Sequence, residues 1–118
     1  MFNKIILAGC VFSILFCDIY NVDTSQSNIF WIGRKITGQH NGTMDIKSGY
    51  IEIDNGSIID GEIEIDMNSI TVLDMNEKYN KKLESHLKNP DFFDVEEFQS
   101  SIFEIKNAYD FFMIDNIV

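Results

Sequence analysis

From Gly61 the chain alternates cleanly. Ile63, Ile65 and Met67 fall on one side and Glu62, Glu64 and Asp66 on the other, the period-two pattern of a half-buried strand. The acids read as a solvated face, because burying carboxylates unpaired is costly. Upstream, Ile29–Thr37 and Thr43–Ile53 mix β-branched and aromatic residues. The pairs Asn41-Gly42 and Asn55-Gly56 tolerate positive φ, so a hairpin turn is expected at each. Asp18–Asn28 is polar and irregular and suits a lead-in rather than a packed element. Between Asp74 and Lys88 the period changes: Tyr79, Leu83 and Leu87 recur every four residues among Lys78, Lys81, Lys82 and Glu84. This predicts a helix capped by Asp74 or Asn76 and stopped near Asn89 by Pro90. Phe92, Phe93, Val95 and Phe98 then form an elbow that is expected to return four apolar groups to the core, with Asp91, Asp94, Glu96 and Glu97 kept wet between them. A strand through Ile102, Phe103 and Ile105 follows, and Phe111–Val118 is a further apolar run.

At 118 residues the chain holds one core at most. Its 45% hydrophobic content, with ten Phe, argues for a folded domain despite the charge. A net charge of −10 opposes binding to nucleic acid or to anionic headgroups and reads chiefly as a solubility device. Lys4 followed by the apolar run Ile5–Cys17 predicts an export signal over residues 1–22, since the run is shorter than the ~20 apolar residues that span a bilayer. Leu7-Ala8-Gly9-Cys10 spells a lipoprotein box, and Cys17 offers a second lipidation position. Both cysteines fall inside the expected signal, so the exported domain, 23–118, would be held by packing without a disulfide.

Chemistry-bearing constellations are sparse. His40 and His86 are the only histidines, and without a His-x-x-x-His or Cys pair they do not make the three or four ligands that zinc requires. Ser85 adjoins His86, but neighbours on a helix point about 100° apart and make no nucleophile–base pair. No catalytic residue, metal ligand or cofactor is assigned.

The stretch His86-Leu-Lys followed by Asp91-Phe-Phe-Asp-Val-Glu and Phe98 resembles the hallmark of the YceI-like lipid/polyisoprenoid-binding family. Trp31-Ile-Gly-Arg-Lys with Thr37-Gly-Gln-His-Asn-Gly is similar to that family's opening strand and turn, and Gly49–Ile70 to its central hairpin. Gln99 stands where the family usually has proline, and the family's last strands have no counterpart after about Ala108. The resemblance implies an all-β fold, an antiparallel lipocalin-like barrel with one short helix, C-terminally truncated in this chain. It also implies a periplasmic or secreted, non-enzymatic protein that holds a polyisoprenoid or isoprenoid-quinone tail and meets membranes only through lipid exchange or lipidation. Trp31, Met44, Ile63, Ile65, Met67, Phe92, Phe93 and Phe103 are the expected apolar lining, each also readable as core filler. The alternative is an envelope or stress-related interaction module whose barrel is packed solid.

Overall fold

Strand β3, Gly38–Asp54, is the spine to which every other strand of the sheet attaches, directly or through one neighbour, in the computed structural model, which describes residues 17–106. One edge of β3 pairs antiparallel with β1 (Asp18–Asn21) at its C-terminal half and with β2 (Asn28–Lys35) at its N-terminal half. The other edge pairs with β4 (Ser57–Asp66), and β5 (Ser100–Ile105) pairs with β4. Among the described residues the antiparallel sheet curls into a half-barrel accompanied by one short helix, consistent with a lipocalin-like barrel. The expected export signal lies largely in residues 1–16, outside the described residues, as do Cys10 and the Phe111–Val118 run. Residues 18–21, expected to be irregular, instead form β1: Tyr20 sits opposite Ile51, and the Val22 N–H continues the ladder to the Gly49 carbonyl at 2.9 Å.

Register explains how one face stays apolar along a 17-residue strand. Met44 and Ile46 share a face with Trp31 and Ile65; at Lys47 a bulge inserts one residue, so that Gly49 and Ile51 take over that face opposite Ile63 and Gly61. Phe103, opposite Ile63, lies on it too. The expected acidic face is present on the reverse side. Glu64 receives Lys47 Nζ at 2.9 Å, Ser100 Oγ at 2.8 Å and Ser48 Oγ at 3.1 Å. Glu62 faces Glu104 across the strands, an unfavourable like pair that Lys106 relieves by contacting Glu104 at 2.7 Å.

Of the two expected hairpin turns, Asn55-Gly56 forms as read, with φ of 49° and 80°. The other turn lies at Ile36-Thr37, and Asn41-Gly42 sits inside β3, with Gly42 opposite Trp31. The physical reason is close approach rather than positive φ. After a 3-10 turn at Met67–Ser69, the segment 70–73 runs along the free edge of β3, the Thr71 N–H donating to the Thr43 carbonyl and the Leu73 N–H to the Asn41 carbonyl, both at 2.9 Å. A Cβ on Gly42 would lie 1.7 Å from the Thr71 carbonyl oxygen.

Helix α1, Glu77–Lys88, starts where its cap was expected, with Asn76 Oδ1 accepting the Tyr79 N–H at 3.1 Å, and ends at Asn89. Its buried Leu87 packs with Ile70 and Val72 to form the core, flanked by Trp31, Met44, Met75 and Leu83. Glu84 fastens the helix to the strand-like segment by accepting the Val72 N–H at 2.8 Å. The elbow folds back beneath the helix through bonds from the Phe93 N–H to the Leu87 carbonyl and from the Val95 N–H to the Lys88 carbonyl, both at 3.1 Å. Asp94 supplies the left-handed residue this needs, at φ 45°. Only Val95 of the four elbow groups is buried; Phe92 and Phe93 are partly exposed, and Phe98, expected in the core, is 63% exposed. The Asp94 turn, closed by the Phe98 N–H on the Asp94 carbonyl at 2.8 Å, leaves the Phe98 ring outside the elbow.

Candidate functional site

The β2–β3 hairpin, the segment at Ile70 and the inner side of α1 line a cavity of about 510 Å³ that is open to solvent on one side. Its walls come from Trp31, Gly33 and Met44 on the apolar sheet face, from Leu83, His86 and Leu87 on the helix, and from Phe92 and Phe93 of the elbow. Each wall is positioned by something already described. Trp31 lies over Gly33 and Gly42, which have no side chains to obstruct it, and its indole Nε1–H donates to the Thr71 carbonyl at 3.1 Å. Phe92 is held edge-on between His86 and Phe93, at ring separations of 5.7 and 5.3 Å.

Four of the eight expected lining residues, Trp31, Met44, Phe92 and Phe93, meet at this cavity. Ile63, Ile65 and Phe103 lie on the same face of the sheet but beyond its walls. Met67 leaves the strand pattern altogether: β4 ends at Asp66, whose carboxylate caps the 3-10 turn, and Met67 is buried with its sulfur 3.2 Å from Ser101 Oγ. Ile70, Leu83 and Leu87 are lining residues that strand alternation did not single out. The four-residue helical period did point Leu83 and Leu87 inward, and joining it to the elbow motif would have found them.

The two histidines meet at the same cavity, from opposite walls. His40 Nδ1 lies 2.9 Å from Asp74 Oδ2, while Asp74 Oδ1 accepts the Asn41 N–H at 3.1 Å. The carboxylate therefore ties the residues that precede the helix to the hairpin. The Asn41 N–H, and secondarily His40, hold the Asp74 carboxyl below its ordinary value of 3.8. Glu64 is likewise held below 4.5, foremost by Lys47. Because both folded-state values are depressed, their stabilisation is complete above the unfolded-state values and is lost as pH falls through the folded ones. Thermal melts should thus be level down to about pH 4.5 on these two counts and decline below it. Asp74→Asn should reduce the acid dependence between pH 4 and 3; an unchanged profile in that variant would exclude the Asp74 tie.

Among the described residues no group of three or more His, Cys, Asp or Glu side chains is placed to hold a metal ion, and no helix is long and apolar enough to cross a membrane. The geometry offers an apolar recess with a polar rim. A family model described as YceI-like domain matches residues 20–115. No curated protein and no solved structure matches the chain significantly.

Proposed function

Because the chain belongs to the YceI-like domain family, which is associated with hydrophobic lipid ligands, we propose that it is an exported, non-enzymatic binding protein that houses a polyisoprenoid or isoprenoid-quinone tail between the hairpin and the helix. The observation that carries this reading is the cavity, walled by Trp31, Met44, Leu83, Phe92 and Phe93. Its volume is in the range of small-molecule sites, ~300–1,000 Å³. Transfer of each CH₂ from water contributes about 0.8 kcal/mol, which gives useful affinity without a charged contact. The alternative reading, a solidly packed barrel, predicts that no lipid is held in this recess.

Mass spectrometry of organic extracts from the purified protein tests the proposal, with a prenyl lipid as the expected finding. Phe92 and Phe93 are 56% and 41% exposed, so they add little to packing without a ligand. Phe92→Ser with Phe93→Ser should therefore leave the melting temperature nearly unchanged while lowering retained lipid at least tenfold. Extracts that repeatedly lack an isoprenoid, or a double variant that retains it fully, would count against a tail in this cavity.

A further inference from the structure

The negative charge of this chain is unevenly placed. Residues 24–44 contain no Asp or Glu, although the chain has nineteen acids, and they include its only arginine, Arg34, together with Lys35 and His40. This acid-free stretch is most of the β2–β3 hairpin, whose tip is Ile36-Thr37. Neither Arg34 nor Lys35 makes an ion pair among the described residues; Arg34 only donates Nε–H to Gln39 Oε1 at 3.4 Å.

The hairpin also carries exposed apolar groups, as several other elements do. Trp31 faces the cavity, so its neighbours Phe30 and Ile32 alternate to the reverse face, where they are 59% and 46% exposed, and Ile36 at the tip is fully exposed. Arg34 continues that reverse row. The reverse row thus reads Phe30, Ile32, Arg34 and Ile36, and Lys35 stands beside it at the hairpin end on the cavity side, neither cation having an ion-pair partner among the described residues. Isolated exposed apolar residues need no explanation, but an apolar row with matched cations is the composition that interfacial lipid binding selects.

We infer that the β2–β3 hairpin is a docking surface for an anionic lipid bilayer, with Arg34 and Lys35 at headgroup level and Phe30, Ile32 and Ile36 in the interfacial layer. Gly33 and Lys35, on the cavity side of the same strand, border the recess, so the end of the hairpin carries both docking residues and part of the recess wall. The net charge of −10 opposes approach to an anionic surface, but exposed charges farther away than the Debye length of about 8 Å at physiological salt are largely screened, which leaves the cations at the hairpin end to act locally. Each Lys or Arg near an anionic surface strengthens binding by about fivefold. The inference adds a delivery surface to the binding function proposed above, and vesicle binding can fail while lipid extraction succeeds, or the reverse.

The test is flotation of the full chain with vesicles of phosphatidylcholine alone and of equal parts phosphatidylglycerol and phosphatidylcholine, in 0.1 M NaCl. Binding is expected only to the anionic vesicles. It should fall about 25-fold in Arg34→Gln/Lys35→Gln and at least tenfold in Phe30→Ser/Ile32→Ser. Circular dichroism melts of both variants should match the parent; if the second fails to fold, Ile36→Ser at the fully exposed tip replaces it. Equal recovery with the two vesicle types, or parental binding by the charge variant, would overturn the inference. So would a concentration-dependent dimer that Phe30→Ser/Ile32→Ser dissociates, because a second copy would then be the occupant of that face.

Discussion

Gly42→Ala is expected to lower the melting temperature by at least 10 °C, because the added Cβ would lie 1.7 Å from the Thr71 carbonyl oxygen and 2.7 Å from its carbon. A flexible side chain can yield at such a contact, whereas this carbonyl belongs to a backbone segment hydrogen-bonded to β3. Relieving the overlap requires segment 70–73 to withdraw, which breaks the Thr71–Thr43 and Leu73–Asn41 bonds and the bond from the Trp31 indole. At about 1 kcal/mol for each lost bond the change costs roughly 3 kcal/mol or more. For a domain of this size each kcal/mol lowers the midpoint by about 4–8 °C. Trp31 is the only tryptophan, so its emission should shift to the red in the same variant as the indole gains water. A Gly42→Ala protein that melts within a degree or two of the parent, with an unaltered spectrum, would show that segment 70–73 does not lie where described.

The second large effect is expected at Ile70. It is 2% exposed, packs with Val72 and Leu87, and forms part of the cavity wall. Truncation to Ala removes three carbons from the centre of the core and should cost about 2–5 kcal/mol, the spread reflecting how far the surroundings can collapse. Collapse is limited here, since one side of Ile70 already borders empty volume. Ile102→Ala is the matched control: Ile102 is 59% exposed on the outer sheet face and should change stability by no more than about 0.5 kcal/mol. An added C20 prenyl lipid should restore part of the lost melting temperature in Ile70→Ala, because a ligand that binds only the folded state stabilises it by mass action. Similar midpoints for Ile70→Ala and Ile102→Ala would remove Ile70 from the core.

Comparison of these two isoleucines shows what local pattern can and cannot convey. Both are apolar residues next to serine in strand-like surroundings, and nothing local separates the residue that anchors the core from the one left in water. Ile102 is out because β5 pairs with β4 in a register that sets it opposite Glu64. Ile70 is in because the chain turns at Met67–Ser69 and crosses to the edge of β3. Asn41-Gly42 misled for a similar reason. Glycine serves a tight turn and a close backbone approach equally well, and only the distant Thr71 distinguishes them.

What the sequence determined by itself is therefore local and periodic: the acidic and apolar faces of β4, the Asn55-Gly56 turn, the Asn76-capped helix ending at Asn89, and the motif residues that place the chain in its family. Each depends on groups within a few residues of one another, whose geometry is fixed by backbone sterics and side-chain alternation. The tertiary structure alone decided that the Lys47 bulge keeps one face apolar, that Trp31 settles over two glycines, and that the cavity takes Trp31, Met44, Phe92 and Phe93 while leaving Ile63, Ile65 and Phe103 farther along the sheet. Those outcomes depend on register and on groups brought together from some thirty to sixty positions apart, for example Trp31 bonded to Thr71 and Trp31 sharing one recess with Phe92, and packing of that range is specified by the whole fold rather than by any window of sequence.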